Sequence, residues 1–210
     1  MKSLLIIILI TVICSSAKSQ IISNCGLKLG VGISNQSWDY QAGMNLDWNN
    51  KIGISPRIFA DFFNYSFFQL EGEIGFLRKG IKDKIPVTTS TQPDGNGNYY
   101  EINNKLDYLI VSALAKFRYN LGTFSPYIQL GPQLNILLNK NIAKGIEVVF
   151  DKYKESNIGL SIGAGSELNN ILPVSILVEY RYEKDFINNY DSSNLILKNY
   201  SHVILLGIKI

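Results

Sequence analysis

Residues 67–80 read FFQLEGEIGFLRKG, with Phe68, Leu70, Ile74 and Phe76 on even positions and Gln69, Glu71 and Glu73 on odd ones. A period of two marks a β-strand, because successive side chains point to opposite faces. Such a strand suits two different solvents. A soluble barrel or sandwich buries the apolar face and wets the carboxylates. A membrane barrel turns the apolar face to lipid and the charges to its lumen.

The same alternation recurs in seven further segments, at about 26–34, 51–63, 107–119, 126–138, 157–168, 174–183 and 200–210. In the first, Leu27, Leu29, Val31 and Ile33 oppose Lys28, Gly30, Gly32 and Ser34. In the next, Ile52, Ile54, Ile58, Ala60 and Phe62 oppose Gly53, Ser55, Arg57, Phe59 and Asp61. Later segments set Leu109, Val111, Ala113, Ala115 and Phe117 against Ser112, Lys116 and Arg118, and Val174, Ile176, Val178, Tyr180 and Tyr182 against Ser175, Glu179 and Arg181. The connections alternate long and short. The longest, about 81–105, holds TQPDGNGN, a run of turn formers with no core-building pattern.

This pattern predicts an all-β fold, an eight-stranded antiparallel up-and-down transmembrane β-barrel. An even strand count with short turns at one end and long loops at the other is the outer-membrane plan. The polar faces carry both charge signs together with glycines small enough for a narrow lumen, adding Lys28, Glu167 and Lys209 to the residues above. Aromatics on the apolar faces cluster at strand ends: Phe62, Phe68, Phe117 and Tyr119 at one end, Phe76, Tyr180, Tyr182 and Tyr200 at the other. Two girdles at the bilayer interfaces produce that arrangement, whereas strand propensity alone favours no end.

The first residues, MKSLLIIILITVICSSAKSQ, join a basic Lys2, an apolar run over 4–13 interrupted only by Thr11, and a small-x-small site at Ala17-Lys18-Ser19. That is the pattern of a cleaved secretory signal peptide, 1–19, preceding a barrel domain at 20–210. The run is too short for a spanning helix, which needs roughly 20 apolar residues. Bulky Ile13 disfavours Cys14 as a lipidated residue. Cleavage leaves 18 Lys and Arg against 17 Asp and Glu, a balance that argues against nucleic acid as a partner. It also leaves Cys25 as the one cysteine, so that no intrachain disulfide is expected.

The stretches DYLIVSALAKFRY (107–119) and PYIQLGPQL (126–134) resemble markers of the small outer-membrane β-barrel proteins labelled porin family or PorT-like. Ser112 stands where that family often has proline. The resemblance covers essentially the whole mature chain and implies location in the outer membrane of a Gram-negative bacterium. It brings no catalytic residue, and a role assisting secretion or envelope assembly rests on it alone.

No catalytic, cofactor or metal constellation emerges. The single histidine, His202, shares the lipid-side parity of Ile204 and Leu206 and is separated from Glu179 and Arg181. Asp94-Gly95-Asn96-Gly97 lacks the ligand spacing and terminal Glu of an EF-hand. GLKLGVG and GLSIGAG lie within strands with no following helix, so the phosphate-loop reading fails its context. A non-enzymatic structural or interaction barrel is the first reading and a small ion or solute channel the second.

The expected partners are outer-membrane lipid, the barrel-assembly machinery during insertion, and an unnamed extracellular ligand. Loop contacts are expected at Tyr99 and Tyr100. The lumen is expected to hold a charge network of Arg57, Asp61, Glu71, Glu73, Lys116, Arg118, Glu179 and Arg181. A three-residue turn at 64–66 would set Arg57 opposite Glu73, with Lys116 and Arg118 approaching Glu71. Both termini should be periplasmic, with long loops around Trp38, Gly95, Gly145 and Asp191 outside.

Overall fold

The computed structural model describes residues 22–40, 45–46, 48–63, 65–87, 97–143, 146–169, 173–191 and 195–210. The signal-peptide reading of 1–19 and the loop positions Gly95 and Gly145 lie outside the described residues. The elements run β1 (Ile22–Tyr40), β2 (Asn45–Leu46), β3 (Asn49–Phe62), β4 (Phe68–Lys79), β5 (Ile81–Pro86), β6 (Tyr99–Asn103), β7 (Lys105–Arg118), β8 (Phe124–Asn141), α1 (Glu147–Asp151), β9 (Ser156–Leu168), β10 (Ser175–Asp185), β11 (Tyr190–Asp191) and β12 (Leu195–Lys209).

The eight long strands β1, β3, β4, β7, β8, β9, β10 and β12 pair antiparallel in that order. The ladder from Gly26↔Lys209 to Tyr40↔Leu195 joins β12 back to β1 and closes the cylinder. Closure leaves no edge along the wall, and eight strands leave an interior that side chains can fill. The chain is inside out. On the outer face Leu29 and Ile52 are 66% and 68% exposed, while inside Glu71, Lys116 and Arg181 are fully buried. The connections 63–67, 119–123 and 169–174 are short and hold no charged residue. Among the described residues every Asp, Glu, Lys and Arg lies inside the cylinder or toward its long-connection end.

Several elements exceed their expected bounds, and all extend toward that end. β1 runs on through NQSWDY to Tyr40, and β8 continues through NKN to Asn141. Alternation fades there because the wall beyond the apolar band has water on its outer face, yet backbone pairing continues. The 81–105 connection corrects the sequence reading most. Its flanks form the hairpin β5–β6, paired from Lys82↔Asn103 to Pro86↔Tyr99, and Ile81 and Ile102 are buried. The 139–156 connection contains the single-turn helix α1, whose Phe150 is buried.

The β3–β4 register also differs from expectation. The ladder runs from Phe62↔Leu70 to Arg57↔Gly75, so Glu73 lies opposite Phe59 rather than Arg57. The turn takes up 63–67 instead of three residues, and Phe63 adopts a left-handed backbone (φ 54°) within it. A shift of two preserves every side chain's face. The recorded ladder ends at Arg57, directly after Pro56, which has no N–H to donate. In the full chain Cys25 is disulfide-bonded; the expectation of no intrachain disulfide concerns the chain after cleavage, in which Cys25 is the one cysteine. Cys14, the one other cysteine, lies outside the described residues.

Large inward side chains stand directly across a ladder from glycine: Arg57 from Gly75, Phe59 from Gly26, Tyr127 from Gly165 and Arg181 from Gly163. A Cβ at Gly165 would lie 2.6 Å from the Tyr127 ring and 2.6 Å from the Val178 carbonyl oxygen. Gly165→Val is therefore expected to cost about 1–3 kcal/mol through overpacking. Urea unfolding followed by heat-modifiable gel migration measures this, and an unchanged midpoint would show that the wall has room to spare.

Candidate functional site in the barrel lumen

The lumen is built by parity. On each strand one set of alternate residues faces inward, and the closed wall brings sequence-distant charges together. Toward the short-turn mouth, Arg118 Nη1 donates to Glu167 Oε2 at 3.2 Å, and Lys209 pairs with the same carboxylate. Asn120, Ser125 and Asn169 border a polar cavity of about 310 Å³ there. Farther in, Lys116 Nζ lies 2.6 Å from Glu71, 3.6 Å from Glu167 and 3.8 Å from Asp61.

At the centre, Lys28 Nζ donates to Glu71 at 2.6 Å, to Glu179 at 3.1 Å and to Glu73 at 3.3 Å. Arg181 grips Glu73 with two bonds of 2.7 and 2.8 Å, reaches Glu71 at 3.2 Å and donates through Nε to Glu179. Arg57 Nη1 is 2.9 Å from Glu73 and 2.8 Å from Glu183. The Tyr127 hydroxyl donates to Glu179 at 2.8 Å. Aromatic faces supply further cation contacts: Lys28 sits 4.6 Å above the Phe59 ring and Lys116 sits 4.7 Å from that of Tyr127.

A buried charge is costly unless paired and hydrogen-bonded. Among the described residues the interior holds seven cations (Lys28, Arg57, Lys79, Lys116, Arg118, Arg181, Lys209) and seven anions (Asp61, Glu71, Glu73, Glu167, Glu179, Glu183, Asp185). Each cation touches at least one of these carboxylates. The set is neutral and cross-linked across five or more strands.

Above this network Asp185 accepts from the carboxamides of Asn135, Asn157, Asn189 and Asn199 at 2.7–3.0 Å, with Lys79 Nζ at 3.5 Å. Asn199 also donates to Tyr153 at 2.8 Å, and the Tyr108 and Tyr153 hydroxyls are 3.1 Å apart. Burial holds the Tyr153 phenol, which lies in the connection beyond the wall, above its usual range. The long-connection end is then filled by an apolar core that includes Trp38, Leu77, Ile81, Ile102, Tyr108, Phe150 and Leu197.

The structure places all eight charges expected in the lumen inside the cylinder. Arg118 departs from its expected partner, since it meets Glu167 and not Glu71. It stands two residues nearer the mouth than Lys116, about 7 Å along the strand. Lys79, Glu183, Asp185 and the apolar inner residues Leu77, Ile110, Leu114, Leu177, Val203 and Leu205 were not among the expected lumen residues. Each shares the parity of inward charges on its own strand, and that parity was the available signal. His202 faces outward, its Nδ1 2.7 Å from the Tyr180 hydroxyl and its ring 5.1 Å from that of Tyr182. Tyr99 and Tyr100 are exposed on β6.

A closed antiparallel cylinder with an apolar outer band, aromatic ends and ion pairs within is a membrane-spanning β-barrel, because strands cross a bilayer only when every backbone group is paired. Its membrane is the bacterial outer membrane. The chain belongs to the outer membrane protein beta-barrel domain family, whose model matches residues 17–191. β12, which closes the barrel, follows the matched region.

Among solved structures the chain is similar to the outer membrane protease OmpT from Escherichia coli, at 10% identity over 91% of this chain and 98% of that one, with a TM-score of 0.50. It is also similar to OprG from Pseudomonas aeruginosa, at 11% identity over 90% and 97%, TM-score 0.49. Neisserial surface protein A matches at 15% identity over 90% and 98%, TM-score 0.47. These identities speak to the fold alone. No curated protein sequence matches the chain.

Proposed function

We propose that this protein is a non-enzymatic structural or interaction barrel whose lumen is closed by its own side chains. The long connections then serve as its contact surface outside the cell. The observation that carries this reading is the filled interior: a neutral set of fourteen mutually paired charges, capped at one end by an apolar core. His202 lies on the outer face beside tyrosines, which leaves the lumen without an imidazole base. Outer-membrane lipid covers the apolar band, the barrel-assembly machinery inserts the chain, and exposed Tyr99 and Tyr100 are the first contacts offered to an extracellular ligand. A second reading, a narrow channel, draws on the polar cavity at the short-turn mouth.

Proteoliposome swelling separates the two readings. Liposomes carrying the refolded barrel are expected to swell in small sugars no faster than empty liposomes; swelling that scales inversely with solute size would support the channel. Orientation is tested by thiol labelling of intact cells, with Gly95→Cys expected to react and Asn170→Cys to stay protected. The opposite pattern would invert the topology.

A further inference from the structure

Outside the lumen, one sector of the long-connection rim collects positive charge from four strands. Lys51 stands near the start of β3, Arg78 near the end of β4, Lys82 on β5 and Lys105 at the start of β7. The ladders fix their juxtaposition. Asn49↔Lys82 and Asn50↔Ile81 set β5 beside the start of β3, Lys82↔Asn103 adds β6, and Lys79↔Leu106 sets the end of β4 beside β7. Lys51 Nζ donates to Asn103 Oδ1 on β6.

The nearby carboxylates do not neutralise the sector. Asp107 is held by Arg78 at 2.7 and 3.1 Å, and Glu101 is 3.7 Å from Lys82. Asp83 accepts from the Asn49 carboxamide at 2.9 Å. Lys51 and Lys105 have no ion pair among the described residues. Lys51 lies just beyond the apolar band that begins at Ile52. Its ammonium is held below its ordinary range, by burial first and then by the like charges of Lys105, Lys82 and Arg78, which Glu101 only partly offsets. Crowded cations of this kind gain by sharing an anion; Asp107 takes the Nε–Nη2 edge of Arg78, and its Nη1 beside the Lys point charges is the edge left to meet a phosphate's oxygens. The position above the exposed Ile52 and the outward Phe76 is that of lipid headgroups.

We propose that Lys51, Arg78, Lys82 and Lys105 form a binding site for a phosphate group on the outer rim of the barrel. The group can arrive as a soluble phosphate or on the headgroup of a phosphorylated lipid. The site is independent of whether the lumen conducts, so its failure would leave the function proposed above untouched.

The test compares the refolded barrel with Lys51→Gln/Lys105→Gln and with Lys184→Gln/Lys198→Gln, a control pair from another sector of the rim. Calorimetric titration with inorganic pyrophosphate in detergent probes the soluble source. Retention of lipid A against phosphatidylcholine in nanodiscs probes the lipid source. Binding in at least one arm is expected to weaken roughly thirtyfold in the Lys51/Lys105 pair, to be unchanged in the control pair and to fall with added salt. The responding arm identifies the source. Heat-modifiable migration reports folding, and Arg78→Gln stands in should the double variant fail to fold. No binding in either arm, or equal loss in both pairs, would overturn the site.

Discussion

Glu73→Ala is expected to lower the stability of the refolded barrel against urea by about 3–5 kcal/mol, the range for removing one partner of a buried ion pair. Glu73 accepts from Arg57, Arg181 and Lys28, and all four side chains are buried. If the lumen is closed as proposed, its loss strands positive charge that bulk water does not reach. Adding Arg57→Ala should cost less than the sum of the two single changes, because the second substitution removes part of the unpaired charge. A water-filled lumen predicts a different result: small losses of about 0–1 kcal/mol that add, as for exposed pairs.

Phe150→Ala is expected to release the apolar cap at a local cost of about 3–5 kcal/mol. Phe150 stacks on Tyr153 with ring centroids 5.0 Å apart and lies 6.4 Å from Trp38. Its helix α1 has five residues, too few to stand without tertiary packing. Hydrogen exchange should therefore rise across 146–154 while the barrel strands keep their protection. Unchanged exchange in that segment would mean that the connection is held by its polar contacts alone, such as the 2.7 Å bond from Lys140 Nζ to the Phe150 carbonyl.

The wall was legible in the sequence because lipid outside and charge inside impose a period of two on every crossing, as in Phe68–Phe76. The charged lumen followed from the same parity, and so did the approach of Lys116 to Glu71. What the pattern hid lies where one of the two solvents changes. Above the bilayer band the outer face meets water, so β1 through Tyr40 and the β5–β6 hairpin carry no alternation. Within the lumen, Leu77, Tyr108 and Val203 are apolar residues on the inner parity, and they were overlooked because the inner face was equated with polarity. The β3–β4 register depended on turn length, which parity does not constrain. Arg57 nevertheless reaches Glu73, since a long guanidinium side chain spans the diagonal that the shift created.

Planar-bilayer recording of the purified, refolded barrel tests most directly whether these side chains close the lumen. Heat-modifiable migration would establish first that the inserted protein is folded. The paired network and its apolar cap predict no steady current above the bare membrane across the applied voltages. A stable, stepwise open-channel current from the unmutated protein, with a conductance that scales with salt, would contradict a closed lumen.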